Sequence, residues 1–170
     1  EARQREYAWL TGDVRAEDRA TQYGHRAAIV LFTGSAQTGK TFLARRVEAL
    51  LVADSRHAYL LEGENLLQGL DADLSAADPS FAAERVRRYG EVARLLIDTG
   101  LIVVSTSKTF GINYQRMAEM IRTLVQPAPV IAVHMSRAGE EPPPNTDLHF
   151  AGPQDFDAAA RQILEELKRR

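Results

Sequence analysis

The chain has 170 residues, 45% of them hydrophobic and 26% charged, with a formal net charge of −2 and no cysteine. That length and balance fit one ordinary globular domain with a core of its own, and a slightly acidic chain offers no electrostatic case for binding nucleic acid. Without cysteine there are no disulfides or thiolate metal sites, and the reducing cytoplasm is the simplest home.

No apolar run approaches the length of a membrane span, and the charged start Glu1-Ala2-Arg3-Gln4-Arg5-Glu6 is no signal peptide. The first residue is not Met, so a domain cut from a longer protein stays open. Residues 1–26 read as a lead-in and residues 27–170 as the core. The apolar run Ala27-Ala28-Ile29-Val30-Leu31-Phe32 predicts a buried strand over 27–33, and Gly34-Ser35-Ala36-Gln37-Thr38-Gly39-Lys40-Thr41 follows it as a complete P-loop. In such a loop backbone N–H groups wrap nucleotide phosphates, Lys40 adds a charge for the β- and γ-phosphates, and Thr41 offers a hydroxyl to Mg²⁺. Residues 42–53 continue as a helix with Leu43, Val47, Leu50 and Leu51 inward, and its N-terminus adds partial positive charge at the same spot.

Ala58-Tyr59-Leu60-Leu61 predicts a second strand, followed by a short helical piece at 65–70. Residues 81–98 read as a helix with Ala82, Val86, Tyr89, Ala93 and Leu96 on one face, stopped by Gly100. Strands follow at 101–104 and 130–133, with a helix at 113–125 between them that turns Met117, Met120, Ile121 and Leu124 inward. Residues 137–146, with Glu140-Glu141-Pro142-Pro143-Pro144, read as an exposed extended loop. A helix over 155–170 closes the chain on Phe156, Ala160, Ile163 and Leu167. This alternation implies an α/β fold, a mostly parallel sheet with helices on both faces in three layers.

Ligands of open α/β sheets sit beyond the carboxyl ends of the strands, so the segments after each strand should converge on the P-loop. They are Glu62-Gly63-Glu64-Asn65 after the second strand and Ser105-Thr106-Ser107-Lys108-Thr109 after the third. Glu62 or Glu64 could hold Mg²⁺ through water or take a proton from an attacking hydroxyl; spacing alone equally allows two solvated acids. Lys108 could touch a second anionic substrate, though by itself it reads as a surface lysine. His25, His57, His134 and His149 are scattered without ligand spacing, so no metal site is expected on them.

These strings together resemble the adenylylsulfate (APS) kinase family, whose members phosphorylate the 3′-hydroxyl of adenosine 5′-phosphosulfate with MgATP. Arg15-Ala16-Glu17-Asp18-Arg19-Ala20 with Gly24-His25-Arg26 is similar to the family's lead-in, and Phe32-Thr33-Gly34 through Thr41 to its P-loop. Leu60-Leu61-Glu62-Gly63-Glu64-Asn65 is similar to its Leu-Asp-Gly-Asp-Asn segment, and Gly69-Leu70 with Asp73-Leu74 follow in register. Arg87-Arg88-Tyr89-Gly90-Glu91-Val92-Ala93 is similar to its Arg-Arg-x-Gly-Glu-Val-Ala signature, and residues 142–148 to its C-terminal end.

The chain departs from the pattern in several places. Both aspartates of the second motif are glutamates, Glu62 and Glu64, and the expected arginine after the asparagine is Leu67. Ser75-Ala76 stand for Gly-Phe. Phe81-Ala82-Ala83-Glu84-Arg85 stands for Asp-Arg-x-x-Asn, losing the arginine and asparagine that hold APS. Lys108-Thr109-Phe110 stands for Ile-Ser-Pro, and only Ser136-Arg137-Ala138-Gly139-Glu140-Glu141 spans the gap that a long lid fills in the family. The resemblance implies ATP, ADP and APS as ligands, Mg²⁺ on Thr41 and Glu62, and Lys40, Glu62 and Glu64 as catalytic residues. It further implies Asn65, Lys108 and Thr109 near substrate and a homo-oligomer, with a fused ATP sulfurylase as a common partner. Two functions follow: an APS kinase or relative, or a nucleotide-binding regulatory domain attached to a sulfurylase.

Overall fold

The fold is given by a computed structural model that describes residues 9–107, 114–152 and 155–170. Among the described residues five strands form one parallel sheet: β1 (Ala28–Gly34), β2 (Ala58–Glu62), β3 (Ile102–Thr106), β4 (Val130–Ser136) and β5 (Leu148–Ala151), in the spatial order β2-β3-β1-β4-β5. β1 pairs with β3 from Ala28↔Ile102 and with β4 from Ile29↔Val130 to Gly34↔Met135. Parallel neighbours need crossovers, which helices of the described residues supply or flank: α1 (Ala16–Tyr23), α2 (Lys40–Ala53), α3 (Gly63–Leu66), α4 (Phe81–Asp98), α5 (Tyr114–Val125) and α6 (Phe156–Arg169).

Every residue of β1 is buried, as expected of a central strand covered on both faces. Its side chains alternate with period two. Ala28, Val30 and Phe32 meet Leu43, Val47 and Leu51 of α2 and Ala160, Ile163 and Leu167 of α6. Ile29 and Leu31 face the other way, toward Val86, Tyr89 and Ala93 of α4 and Met117 and Ile121 of α5. The three-layer arrangement expected from the alternation is therefore the one observed, and it places the carboxyl end of β1 at the middle of one edge of the molecule.

Several expectations need correction. The 130–133 strand runs on to Ser136, and β5 at Leu148–Ala151 is an additional strand. The lead-in contains α1, which buries none of its own residues and so carries no apolar stripe to read. The short helix precedes its expected place, at Gly63–Leu66, with turns beyond it. In α4 the inward face is turned: Ala82 is exposed, and Arg85 takes a fully buried place. The expected start of α5 at Asn113 lies outside the described residues.

Candidate functional site

At the end of β1 the chain cannot continue as ordinary strand. Gly34 has φ 123°, and a Cβ there would lie 1.8 Å from the Met135 carbonyl oxygen of the paired strand. The loop then turns back. Ser35 N–H donates to Met135 O (3.1 Å), Thr38 Oγ1 donates to Ser35 O (2.9 Å), and Gly39 caps α2 with φ 87°. No side chain caps α2 and no acidic residue occupies its first turn, so its first N–H groups and partial positive charge face the loop.

Lys40 is the buried cation of this loop. Its ammonium donates to Gly34 O at 2.8 Å and to Ser35 O, clasping the turn from inside. Burial lowers its pKa, and the Glu64 carboxylate opposes that shift. Gly34 O receives a second donor, the Tyr114 hydroxyl from α5 at 2.8 Å. Burial raises the Tyr114 pKa, with Glu140 adding to the effect.

The carboxylates come from the end of β2. Thr41 Oγ1 donates to Glu62 Oε1 at 3.4 Å, and Ser107, just past β3, donates to Glu64 Oε1 at 2.8 Å. Tyr89 of α4 steadies this edge: its hydroxyl donates to Leu61 O (2.7 Å) and shares a 2.6 Å hydrogen bond with Ser105. Thr106, paired with Glu62 across the sheet, keeps a buried hydroxyl that has no partner among the described residues. Asn65 is exposed on α3, and Lys108 and Thr109 lie outside the described residues.

The structure thus brings together Gly34–Lys40, Thr41, Glu62 and Glu64. It includes Ser107 of the segment expected after the third strand, and adds residues that sequence reasoning did not assign to the site: Tyr114, His134 and Glu140. His134 of β4 shares a 2.9 Å hydrogen bond with Thr33 Oγ1, and burial holds its pKa below the usual histidine value. Glu140 accepts from Ser35 Oγ at 2.7 Å. The strand-end rule that singled out residues 62–65 and 105–109 would have reached Glu140 had it been carried to the fourth strand.

On the other side of Glu62 the positions that the resemblance gave to APS are changed in kind. Ala82 faces solvent, and Arg85 Nε binds Asp71 Oδ2 at 3.3 Å while its Nη2 donates to Gly63 O at 3.2 Å, with no exposed surface left. Among the described residues, no group of three or more His, Asp or Glu side chains gathers at metal-binding distance.

A parallel sheet whose central strand opens into a phosphate loop with a clasping lysine, flanked by carboxylates from the next strand end, defines a P-loop α/β protein of the kinase type. The adenylylsulphate kinase family matches residues 26–142, and the chain belongs to that family. It is 38% identical over 128 residues to the adenylyl-sulfate kinase of Shewanella amazonensis, covering 75% of this chain and 63% of that protein. A mutant of the Mycobacterium tuberculosis APS kinase CysC superposes with TM-score 0.73 at 29% identity, over 84% of this chain and 98% of that one. The same kinase in complex with AMPPNP and APS gives TM-score 0.71 at 24% identity, over 84% and 98% of the two chains. The chain therefore spans a little under two thirds of the length of the Shewanella relative. No helix among the described residues is long and apolar enough to cross a membrane.

Proposed function

We propose that the chain binds ATP at Gly34–Thr41 and transfers its γ-phosphoryl group to the 3′-hydroxyl of adenosine 5′-phosphosulfate, giving ADP and 3′-phosphoadenosine 5′-phosphosulfate. The observation that carries this reading is the convergence of Lys40, Thr41, Glu62 and Glu64 at one strand edge. In this reading the ammonium of Lys40 leaves the Gly34 and Ser35 carbonyls for the phosphates, which restores a favourable partner for its charge. Thr41 and Glu62 offer hard oxygen donors 3.4 Å apart, the donor chemistry suited to Mg²⁺, and the ion would neutralise charge on the β- and γ-phosphates. Glu64, oriented by Ser107, takes the acceptor's proton as the acceptor oxygen bonds to the γ-phosphorus and the bond to the β–γ bridging oxygen breaks.

A second reading is favoured by specific features on the acceptor side. Arg85 is buried on Asp71, Ala82 is exposed, and residues 137–147 make a short connection where the family resemblance expects a lid. A lid excludes water and completes a site, so the domain in this reading binds nucleotide with weak or no turnover and serves a regulatory role, attached to an ATP sulfurylase. Homo-oligomer formation and a reducing cytoplasmic setting belong to both readings.

Coupled measurement of ADP formation separates them. The kinase reading expects ADP release that depends on APS and is lost in Lys40→Ala. Equal rates with and without APS, or none, overturn it; calorimetric binding of ATP without turnover supports the second reading, and no binding of ATP, ADP or APS removes both.

A further inference from the structure

At the end of the sheet opposite the P-loop, where β1 and β3 begin, the surface holds a half-open cavity of about 340 Å³. Arg26, Arg56, Lys168 and Arg170 line it, and Ile102 and Leu167 give it an apolar floor; no acidic side chain is among its lining residues. Such a volume lies at the small end of ligand sites, and an apolar floor under a few charged groups is how those sites are built.

Among the described residues, three of the four cations are free or weakly held. Arg26 is exposed and has no ion-pair partner among the described residues. Arg56 pairs with Asp54 (3.2 Å) and Lys168 with Glu165 (2.9 Å), both carboxylates more than half exposed, and pairs of that kind hold their partners weakly. Arg170 is the most firmly engaged of the four, held between two mostly buried carboxylates, Glu166 (2.9 Å) and Asp147 (2.7 Å), and lines the cavity beside the other three. The C-terminal ends of α1 and α6 adjoin the cavity and contribute about half a negative charge each; against them stand Arg26, which has no ion-pair partner among the described residues, and Arg56 and Lys168 in exposed, weakly held pairs.

One wall is fixed. His25 accepts the His57 N–H at Nε2 (3.0 Å), leaving Nδ1 to face Arg26 O (3.0 Å), and the Tyr23 ring stacks on His57 at 4.3 Å. With both nitrogens engaged, His25 supplies shape while the four cations supply charge.

We propose that this cavity binds a small phosphate or sulfate ester, its anionic group held by Arg26, Arg56, Lys168 and Arg170 and its apolar part seated on Ile102 and Leu167. α6 joins the cavity to the P-loop: Leu167 and Lys168 of its last turn line the one, and Phe156 of its first turn packs on Gly39 of the other.

The test follows the NMR signals of Ile102 and Leu167 in the full chain during titration with adenosine monophosphate, inorganic phosphate and inorganic sulfate. Running it in wild type and in Lys40→Ala separates this site from the P-loop. Saturable shifts are expected in both backgrounds, with the ester bound about tenfold tighter than either inorganic ion because only it covers the floor. Arg26→Gln with Lys168→Gln, both on the surface, should weaken ester binding at least about tenfold, whereas the charge-keeping Arg56→Lys should retain it. No shift at Ile102 and Leu167 with any probe, equal binding of the ester and the inorganic ions, or binding unchanged in the double variant would each overturn the proposal.

Discussion

Ser35, the second residue of the phosphate loop, donates its hydroxyl to Glu140 Oε2 at 2.7 Å, and the Arg137 N–H donates to the same oxygen at 3.1 Å. The short connection after β4 thereby plants a carboxylate on the rim of the cradle. The Ser35 hydrogen bond, then that of the Arg137 amide, holds its pKa below the usual glutamate value, so it is charged at neutral pH. A phosphate entering the loop meets that charge.

Glu140→Gln keeps an acceptor for Ser35 and removes the repulsion. ADP and ATP should bind a few-fold more tightly, about three to ten times, and the gain should shrink with added salt. Glu141→Gln, one residue on and exposed, is the control. Calorimetry showing equal or weaker affinity for Glu140→Gln would remove the electrostatic role.

Gly39 and Phe156 make a second pair that can be tested. A Cβ at Gly39 would lie 2.6 Å from the Phe156 ring, on a backbone of φ 87°. Gly39→Ala therefore carries both strain and a clash, together about 2–4 kcal/mol. In the double variant with Phe156→Ala the clash goes and the strain stays, so urea unfolding should show a coupling of about 1 kcal/mol or more. Strictly additive costs would mean that the ring does not confine Gly39.

The features legible in the sequence were those whose causes are local. The P-loop is a string, β1 is an unbroken apolar run, and α4 spans the residues that its periodicity indicated, Phe81–Asp98. The carboxylates at 62 and 64 follow from where a strand ends. Glu140 was hidden for a different reason: composition marked its loop as exposed, which it is, but only the path of the chain back over the P-loop gives that exposed surface a neighbour. Arg85 was read by what it replaces. Its burial depends on Asp71, 14 positions away on a turn, and no periodicity encodes that pairing.

Arg85 and Asp71 bury both charges, with side-chain exposures of 0% and 1%. Phe81 lies over the guanidinium at 5.6 Å, and Arg85 also holds the carbonyl of Gly63, between the two site glutamates. Asp71→Ala takes away the carboxylate that faces the buried guanidinium and should cost about 3–5 kcal/mol. Asp71→Ala combined with Arg85→Met removes both buried charges and should recover a good part of that loss. Chemical denaturation of the single and double variants decides it: a double variant no more stable than Asp71→Ala would show that the charge pairing is not what matters there.

His134 gives the fold a pH dependence whose sign is fixed by its surroundings. Burial is the main cause of its lowered pKa; His149 and Lys40 reinforce it, and Glu140 opposes it. Below the unfolded value of 6.5 the unfolded chain then binds more protons than the folded one, so this residue's contribution to stability is complete above 6.5 and is lost as pH falls through the folded value. The melting temperature should drop as the solution is acidified below that point, before carboxylates titrate, and His134→Gln should flatten that part of the curve. Since Thr33 shares a 2.9 Å hydrogen bond with Nδ1, Thr33→Val serves as a companion variant that leaves the ring in place. NMR titration of the His134 ring supplies the direct reading: a midpoint below 6.5 is expected, and one at or above 6.5 would assign the acid sensitivity to other groups.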